Sequence, residues 1–173
     1  MFRTRHWFVL GAVLLTLFAS LVTTQPAGAA DGRPFTNPVK SQKGADPRLE
    51  SYNGNYYLMT TPYSGPLTMR KAPTIAALKS AAPVPVFSAH AAGRDRQVWA
   101  PEMHLLDGPN GKRWYIYYSA GGGDIEDQRV HVVESAGTDP LGPYTYKGMI
   151  FGANNWWGID GSVVTIGGRL YFV

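Results

Sequence analysis

The sequence predicts an all-β protein that forms part of a β-propeller. Three observations support this fold class. Short runs are rich in Tyr, Val, Ile and Thr, tight-turn pairs such as Asn-Gly and Gly-Gly separate them, and one hairpin pattern recurs along the chain. The predicted strands include YYLMTT (56–61), WYIYYSA (114–120), VHVVES (130–135) and SVVTI (162–166). The one helix-like stretch, TIAALKSAA (74–82), lies between two prolines and predicts a single turn or a short helix.

The recurring hairpin has an even spacing. Gly54, Gly111 and Gly168 follow one another at intervals of 57 residues, and an ungapped alignment of the first and third copies places Asp46 over Asp160. The middle copy starts at APEMHLLDG (100–108), and we expect its hairpin loop to be a few residues longer. A repeated unit of several short strands predicts propeller blades. Coincidence is the alternative, and the match of the two aspartates makes it the weaker one.

The chain holds about two and a half such units, whereas propellers have roughly 4–8 blades. Its last residues, LYFV, lie in a predicted strand, which would leave an unpaired edge. We therefore expect residues 44–173 to be the N-terminal part of a propeller domain, from a truncated reading frame or a partial protein. Residues 30–43, punctuated by Pro and Gly, read as a leader segment.

Residues 1–29 have the pattern of a secretory signal peptide. Arg3 and Arg5 precede an uncharged, mainly apolar run from Trp7 to Val22, and Ala27-Gly28-Ala29 supplies the small residues of a cleavage site. An uncleaved membrane anchor is the weaker alternative, because the run is short for a spanning helix. We expect a secreted, extracellular protein that has no membrane partner after cleavage.

Charge and composition narrow the function further. Removing the signal leaves 14 basic and 12 acidic residues, a net charge of +2, and no Lys/Arg cluster that would bind nucleic acid. The chain has no cysteine, which excludes disulfides and thiolate chemistry. Aromatic residues make up 13% of the chain; they suit sugar-binding surfaces, and a β-rich core explains most of them equally well.

Two aspartates are the candidate catalytic residues. The first residues of the innermost strand of a propeller blade point into the central channel, where Asp46 and Asp160 could meet carboxylates of other blades. Glycoside hydrolysis requires such carboxylates, as a base that activates water and an acid that protonates the leaving oxygen. The alternative for Asp46 alone is that Asp-Pro merely starts a turn.

Other polar and aromatic residues accompany them. Trp156 and Trp157 stand just before Asp160 and suit a sugar site, although we expect core packing for at least one of the two. Trp99, Glu102 and His104 lie at the matching start of the second copy; a structural role is favoured for Glu102 and the role of His104 stays open.

The remaining candidates carry weaker signals. The loop GGGDIEDQR (121–129) has three acids, so a Ca²⁺ site is conceivable, but it lacks an EF-hand pattern and a solvated loop is favoured. His90 and His131 have no neighbouring partner in the sequence that suggests a role. No phosphate loop, zinc-binding His motif or G-x-S-x-G elbow is present.

Six motifs in order resemble glycoside hydrolase family 43, and most closely its exo-acting α-L-arabinofuranosidase branch. They cover about residues 37–173: KGADPRLESYNGNYYLMTT, LTMRKAPTIAAL, VWAPEMHLLDG, WYIYYSAG, DPLGPYTYKG and WGIDGSVV. The resemblance implies a five-bladed β-propeller and an inverting mechanism with three acids. It implies that Asp46 is the general base, that Asp160 raises the pKa of the acid and orients it, and that Trp99 lines the sugar subsite. Trp157, beside Asp160, is the second residue that we expect to bind the sugar.

The general acid that the resemblance implies, a Glu of a later blade, has no counterpart among the four glutamates of the chain. These are Glu50, Glu102, Glu126 and Glu134. We therefore expect the chain to be inactive alone. No cofactor is expected, and a structural cation in the central channel is implied by the resemblance only.

The substrate expected from this resemblance is an arabinose-containing oligo- or polysaccharide. Two alternatives remain open. One is a β-xylosidase or endo-arabinanase of the same family, and the other is a non-catalytic carbohydrate-binding or pseudogene remnant.

Overall fold

The computed structural model describes residues 35–88, 91, 93–151 and 156–173. The proposed signal peptide (1–29) and His90 lie outside these residues, as does the beginning of the leader segment. Strands dominate the described part, and two short 3-10 turns, Ala76–Lys79 and Ile125–Asp127, are its only helical segments. No helix in these ranges is long and apolar enough to cross a membrane.

The strands run in chain order as β1 (Arg48–Tyr52), β2 (Asn55–Met59), β3 (Tyr63–Ser64), β4 (Leu67–Ala72), β5 (Val84–Phe87), β6 (Arg96–Gly108), β7 (Gly111–Gly121), β8 (Arg129–Ser135), β9 (Tyr144–Met149), β10 (Val163–Ile166) and β11 (Arg169–Phe172). They form three antiparallel sheets with the orders β1-β2-β4-β5, β3-β6-β7-β8-β9 and β10-β11. We call these sheets blade 1, blade 2 and blade 3. The predicted partial β-propeller is therefore confirmed, with two blades and the first hairpin of a third.

The hairpin turns explain why the same pattern recurs. In blade 1, Asn53 and Gly54 have φ values of +47° and +71°, and in blade 3 Gly167 and Gly168 have +56° and +77°. Two consecutive left-handed residues form the turn whose twist matches that of the flanking strands. The expected longer loop of the middle copy is wrong. Gly108 pairs directly with Gly111, and the extra residues extend β6 and β7 instead.

The main core lies between blades 1 and 2. Apolar side chains alternate along their strands, as sheets with one packed face require. Those of blade 1 meet those of blade 2 in one cluster that includes Met59, Leu67 and Met69 on one side and Val98, Met103, Trp114, Ile116 and Tyr118 on the other. Each fully buried side chain of this kind stabilises the fold by about 1.5–3 kcal/mol. This packing holds the two innermost strands, β1 and β6, beside each other.

The stretch predicted to be a single turn or a short helix packs on the other face of blade 1. It forms the 3-10 turn Ala76–Lys79, whose Leu78 is fully buried against Leu58 and Ala72. Val39 of the segment before blade 1 also packs there. That segment and the outer face of blade 1 enclose a mostly apolar cavity of about 450 Å³.

A buried carboxylate fixes the hairpin end of blade 2. Glu134 accepts hydrogen bonds from the Tyr115 hydroxyl (2.7 Å) and from the Asn110 amide (3.1 Å), and its carboxylate lies 3.0 Å from the Lys147 ammonium. The hydrogen bond from Tyr115 and that from Lys147 hold the pKa of Glu134 below its usual value. The β6–β7 turn is thus tied to β8 and β9 at the end of the blade opposite Asp46.

We predict that Glu134→Gln lowers the free energy of unfolding by about 1–3 kcal/mol, because the substitution places an amide N–H₂ group among three donors. Since folding lowers the pKa of Glu134, its contribution is complete above pH 4.5 and is lost as the pH falls below that value. Urea unfolding at pH 7 and pH 4 measures both effects. The matched control is Asp107→Asn, which removes a carboxylate from an exposed pair with Lys112 and should change stability little. A Glu134→Gln protein as stable as the Asp107→Asn control would contradict this role.

Candidate active site

The same backbone feature occurs at the inner strand of each blade. Asp46 and Asp160 stand just before β1 and β10, and Ala100 lies at an irregularity within β6. Asp46, Ala100 and Asp160 have φ values of +50°, +42° and +57°, a left-handed conformation that is uncommon for residues other than glycine. Pro47, Pro101 and Gly161 follow them. The alignment of Asp46 with Asp160 therefore has a conformational basis, and the corresponding position of the middle copy is Ala100.

A buried hydroxyl group of the preceding blade accepts the backbone N–H of Ala100 and that of Asp160. The Ala100 N–H donates to the Thr61 hydroxyl at 2.7 Å, and the Asp160 N–H donates to the Ser119 hydroxyl at 3.1 Å. Thr61 and Ser119 are each 1% exposed. We call this contact the inter-blade latch. It satisfies the backbone N–H of a residue with left-handed φ.

The two hydroxyls occupy equivalent places in their blades. The Thr61 N–H donates to the carbonyl of Ala45, the residue before Asp46, and Ser119 pairs with Trp99, the residue before Ala100. Sequence analysis missed both. The available signal was a small hydroxyl residue directly after the apolar part of the second strand, in MTT (59–61) and YSA (118–120).

Asp46 lies exposed at the start of β1, where the Thr61 hydroxyl donates a hydrogen bond to its Oδ2. A carboxylate at the surface of the site can accept a proton from water. Because Thr61 is buried and already accepts from Ala100, its single proton is directed at Asp46.

Asp160 is also exposed, and the latch holds it through the main chain. Only glycine fits directly after it, because a Cβ at Gly161 would lie 2.1 Å from the Phe172 ring. Packing of β11 therefore fixes the peptide that carries the Asp160 side chain.

A polar seam joins the three inner strands below these aspartates. The Arg48 guanidinium lies 2.8 Å from the Glu102 carboxylate and also binds Glu50, and Glu102 accepts a hydrogen bond from the Ser162 hydroxyl (3.3 Å). The contact between Arg48 and Glu102 joins β1 to β6, and the contact between Glu102 and Ser162 joins β6 to the residue before β10. Glu102 therefore ties the blades together, as the favoured structural role predicts.

His104 belongs to the same seam. Its Nε2 accepts from the Val163 N–H at 3.4 Å, so the ring is neutral with its proton on Nδ1. Burial, reinforced by Arg48, lowers the pKa of His104 to about 4. A neutral imidazole that binds the blade 3 backbone is a structural element of the inner wall.

The tryptophans differ from the expectation. Trp99 is half-buried in β6 and directly precedes Ala100. Trp156 and Trp157 are 60% and 53% exposed, so the expectation that at least one packs in the core is wrong. They lie on the connection before β10, where Trp156 contacts Phe151 and the Trp157 indole N–H donates to the Ile125 carbonyl (2.7 Å). A ring face of Trp157 stays open beside the segment that leads to Asp160.

The acidic loop (121–129) is solvated, as the sequence favours. Asp124, Glu126 and Asp127 are exposed, whereas Gln128 is buried and bonds to Gln97. Across the described ranges, no group of three or more His, Cys, Asp or Glu side chains is placed to hold a metal ion.

His131 has partners that the sequence did not reveal. It is 2% exposed, with Nδ1 3.0 Å from the Tyr146 hydroxyl and Nε2 3.2 Å from the Ala120 carbonyl. Burial lowers its pKa to about 4. The residue is therefore a neutral part of the blade 2 interior.

Comparison with known proteins agrees with this architecture. The model of the glycosyl hydrolases family 43 matches residues 35–173. The extracellular exo-α-(1→5)-L-arabinofuranosidase of Streptomyces avermitilis is 33% identical over 160 residues, which are 90% of this chain and 32% of that protein. The α-L-arabinofuranosidase 43 of Humicola insolens is 32% identical over 163 residues, 90% of this chain and 33% of that protein.

A solved structure shows the same fold. The α-L-arabinofuranosidase of Lactobacillus brevis superimposes with a TM-score of 0.69 at 27% identity, covering 80% of this chain and 45% of that one. The chain thus spans about a third of the length of the two curated relatives and less than half of the solved structure.

We predict that His104 and His131 make the free energy of unfolding decrease as the pH falls. Folding lowers the pKa of His104 and of His131 from 6.5 to about 4, so their contributions are present above pH 6.5 and are lost as the pH falls towards 4. Each bound proton contributes a slope of about 1.4 kcal/mol per pH unit. The slope of the free energy of unfolding against pH should therefore approach the value for two protons in this window. In His104→Gln and in His131→Gln it should fall to the value for one proton. Urea titrations at half-unit steps measure it, and an unchanged slope in both variants would contradict the assignment.

Proposed function

This chain belongs to glycosyl hydrolase family 43, and we propose that it provides the water-activating part of a secreted, inverting glycosidase that removes α-L-arabinofuranosyl residues from arabinose-containing polysaccharides. The observation that carries the proposal is the placement of two exposed aspartates at equivalent, left-handed starts of inner strands. Both lie within the segment that matches the family.

In this proposal Asp46 is the general base. Its carboxylate takes a proton from a water molecule while the water oxygen attacks the anomeric carbon, and the bond from that carbon to the leaving oxygen breaks. An inverting site needs about 6.5–9.5 Å between the base and the acid to hold that water. Asp160 orients the proton donor and raises its pKa, and Trp99 and Trp157 offer ring faces to the sugar.

None of the four glutamates is placed to be the proton donor. Glu50 and Glu102 bind the Arg48 guanidinium, and Glu126 lies in the exposed loop. Glu134 is buried at the hairpin end of blade 2, bound to Tyr115, Asn110 and Lys147. We propose that the proton donor is a residue other than these four glutamates. Since general acid catalysis contributes about 10²–10⁴-fold, the chain by itself hydrolyses poorly any substrate whose leaving group must be protonated.

The proposed substrate and the proposed extracellular location are based on the relatives of this chain. One is named as an extracellular exo-α-(1→5)-L-arabinofuranosidase and another as an α-L-arabinofuranosidase, and the pattern of residues 1–29 agrees with export. The small net charge of the exported part suits a neutral polysaccharide.

We predict that the chain hydrolyses α-L-arabinofuranosyl fluoride but releases no arabinose from aryl α-L-arabinofuranosides or arabinan. Fluoride departs as an anion without a proton, so the reaction needs only the base. Asp46→Asn should lower the fluoride hydrolysis rate by about 10²-fold or more. Proton NMR of the first product should show the β-anomer, since inversion places the water oxygen on the opposite face.

Asp95→Asn is the matched control, because it removes a carboxylate outside the proposed site and should leave the rate unchanged. An Asp46→Asn rate equal to that of the control would contradict the base assignment and favour a non-catalytic protein. Robust release of arabinose from arabinan would contradict the proposal that none of the four glutamates is the proton donor. Retention of the α-anomer would overturn the inverting mechanism.

A further inference from the structure

We propose that Thr61 is a positioning residue for Asp46, through which the packing of blade 2 on blade 1 sets the orientation of the base. The proposal rests on the proposed function of Asp46. Thr61 is not among the residues that the sequence motifs assign to the reaction.

The hydrogen-bond directions at Thr61 are fully determined. A hydroxyl has one proton and accepts through its lone pairs. The Ala100 N–H of blade 2 can only donate, and it does so to Thr61 Oγ1 at 2.7 Å. The hydroxyl proton must then go elsewhere, and Asp46 Oδ2 accepts it. A hydroxyl donating to a carboxylate forms a charge-assisted bond, stronger than one between neutral groups.

Thr61 itself cannot move to follow Asp46. It is 1% exposed, so water does not replace the bond, and its N–H is held by the Ala45 carbonyl at 3.0 Å. Its β-branched side chain has restricted χ1 freedom. Asp46 is therefore held from two sides, by its own left-handed backbone and by the hydroxyl. With Oδ2 engaged, Oδ1 is the oxygen that receives the proton of the attacking water.

Blade 2 contains the same latch without this second role. Ser119 accepts the Asp160 N–H, as Thr61 accepts that of Ala100. In blade 2, however, the residue that corresponds to Asp46 is Ala100, which has no side chain to receive a hydroxyl proton. The latch therefore serves the fold in both blades, and its donation to a carboxylate is particular to the blade that carries the proposed base.

The test compares Thr61→Val, which is nearly isosteric and lacks the hydroxyl, with Thr61→Ser, which keeps it. Rates of α-L-arabinofuranosyl fluoride hydrolysis are measured per folded molecule. We expect kcat to fall about 10- to 100-fold in Thr61→Val with KM within twofold, because the base is misplaced while sugar contacts remain. Thr61→Ser should restore kcat to within about threefold of the parent.

Thr60→Val is the matched control. Thr60 is also buried, and it accepts from Lys40 instead of binding Asp46. It should lose stability with little change in kcat. Equal kcat in Thr61→Val and Thr60→Val would overturn the positioning role and leave Thr61 as a residue of the blade seam. Fluoride hydrolysis unaffected by Asp46→Asn would instead overturn the proposed function.

A double-mutant cycle between Thr61→Val and Asp46→Ala gives a readout that does not depend on activity. We expect the two changes to couple by about fivefold or more in the unfolding equilibrium constant, as residues in contact do. If Thr61→Val does not fold, the contact is tested in the parent protein by the NMR signal of the Thr61 hydroxyl proton. Its NMR signal should be protected from exchange and should lose that protection in Asp46→Ala. Additive changes, or a signal indifferent to Asp46→Ala, would overturn the contact.

Discussion

The contact on which the site depends is a backbone N–H of one blade donated to a buried hydroxyl of the preceding blade. A left-handed residue at the start of an inner strand costs about 1–2 kcal/mol and leaves its N–H outside the strand ladder. Thr61 and Ser119 satisfy that N–H and thereby make the conformation tenable. The same contact joins one blade to the next. The placement of Asp46 and Asp160 and the packing of the blades therefore depend on the same buried hydroxyl groups.

The differences between the blades follow from which side chain occupies the turned position. In blades 1 and 3 this position carries the carboxylates of Asp46 and Asp160, whereas in blade 2 it carries only the methyl group of Ala100. Below them, the Arg48 guanidinium pairs with Glu50 and Glu102 in the inner wall. The inner wall therefore carries paired charges, whereas Asp46 and Asp160 lie exposed above it.

Much of the fold could be predicted from sequence, because strands and turns follow from local chemistry. Asn53-Gly54 and Gly167-Gly168 are sufficient to locate two hairpins, and their spacing aligns the aspartates. The latch could not be predicted, since hydroxyl residues are common at strand ends and the partner of Thr61 lies on another blade. The exposure of Trp156 was missed for a similar reason: whether an aromatic residue is buried depends on which sheet faces it. Distant contacts, and not local propensity, account for both errors.

The most direct test of the account is a map of where a sugar contacts the protein. Backbone amide shifts are followed by NMR while methyl α-L-arabinofuranoside is added to the chain. We predict that the largest changes cluster around residues 45–46, 99–100 and 158–161, which are far apart in sequence. Changes confined to the apolar cavity of about 450 Å³ on the outer face of blade 1, at lining residues such as Val39, Ile75 and Leu78, would contradict this placement of the site.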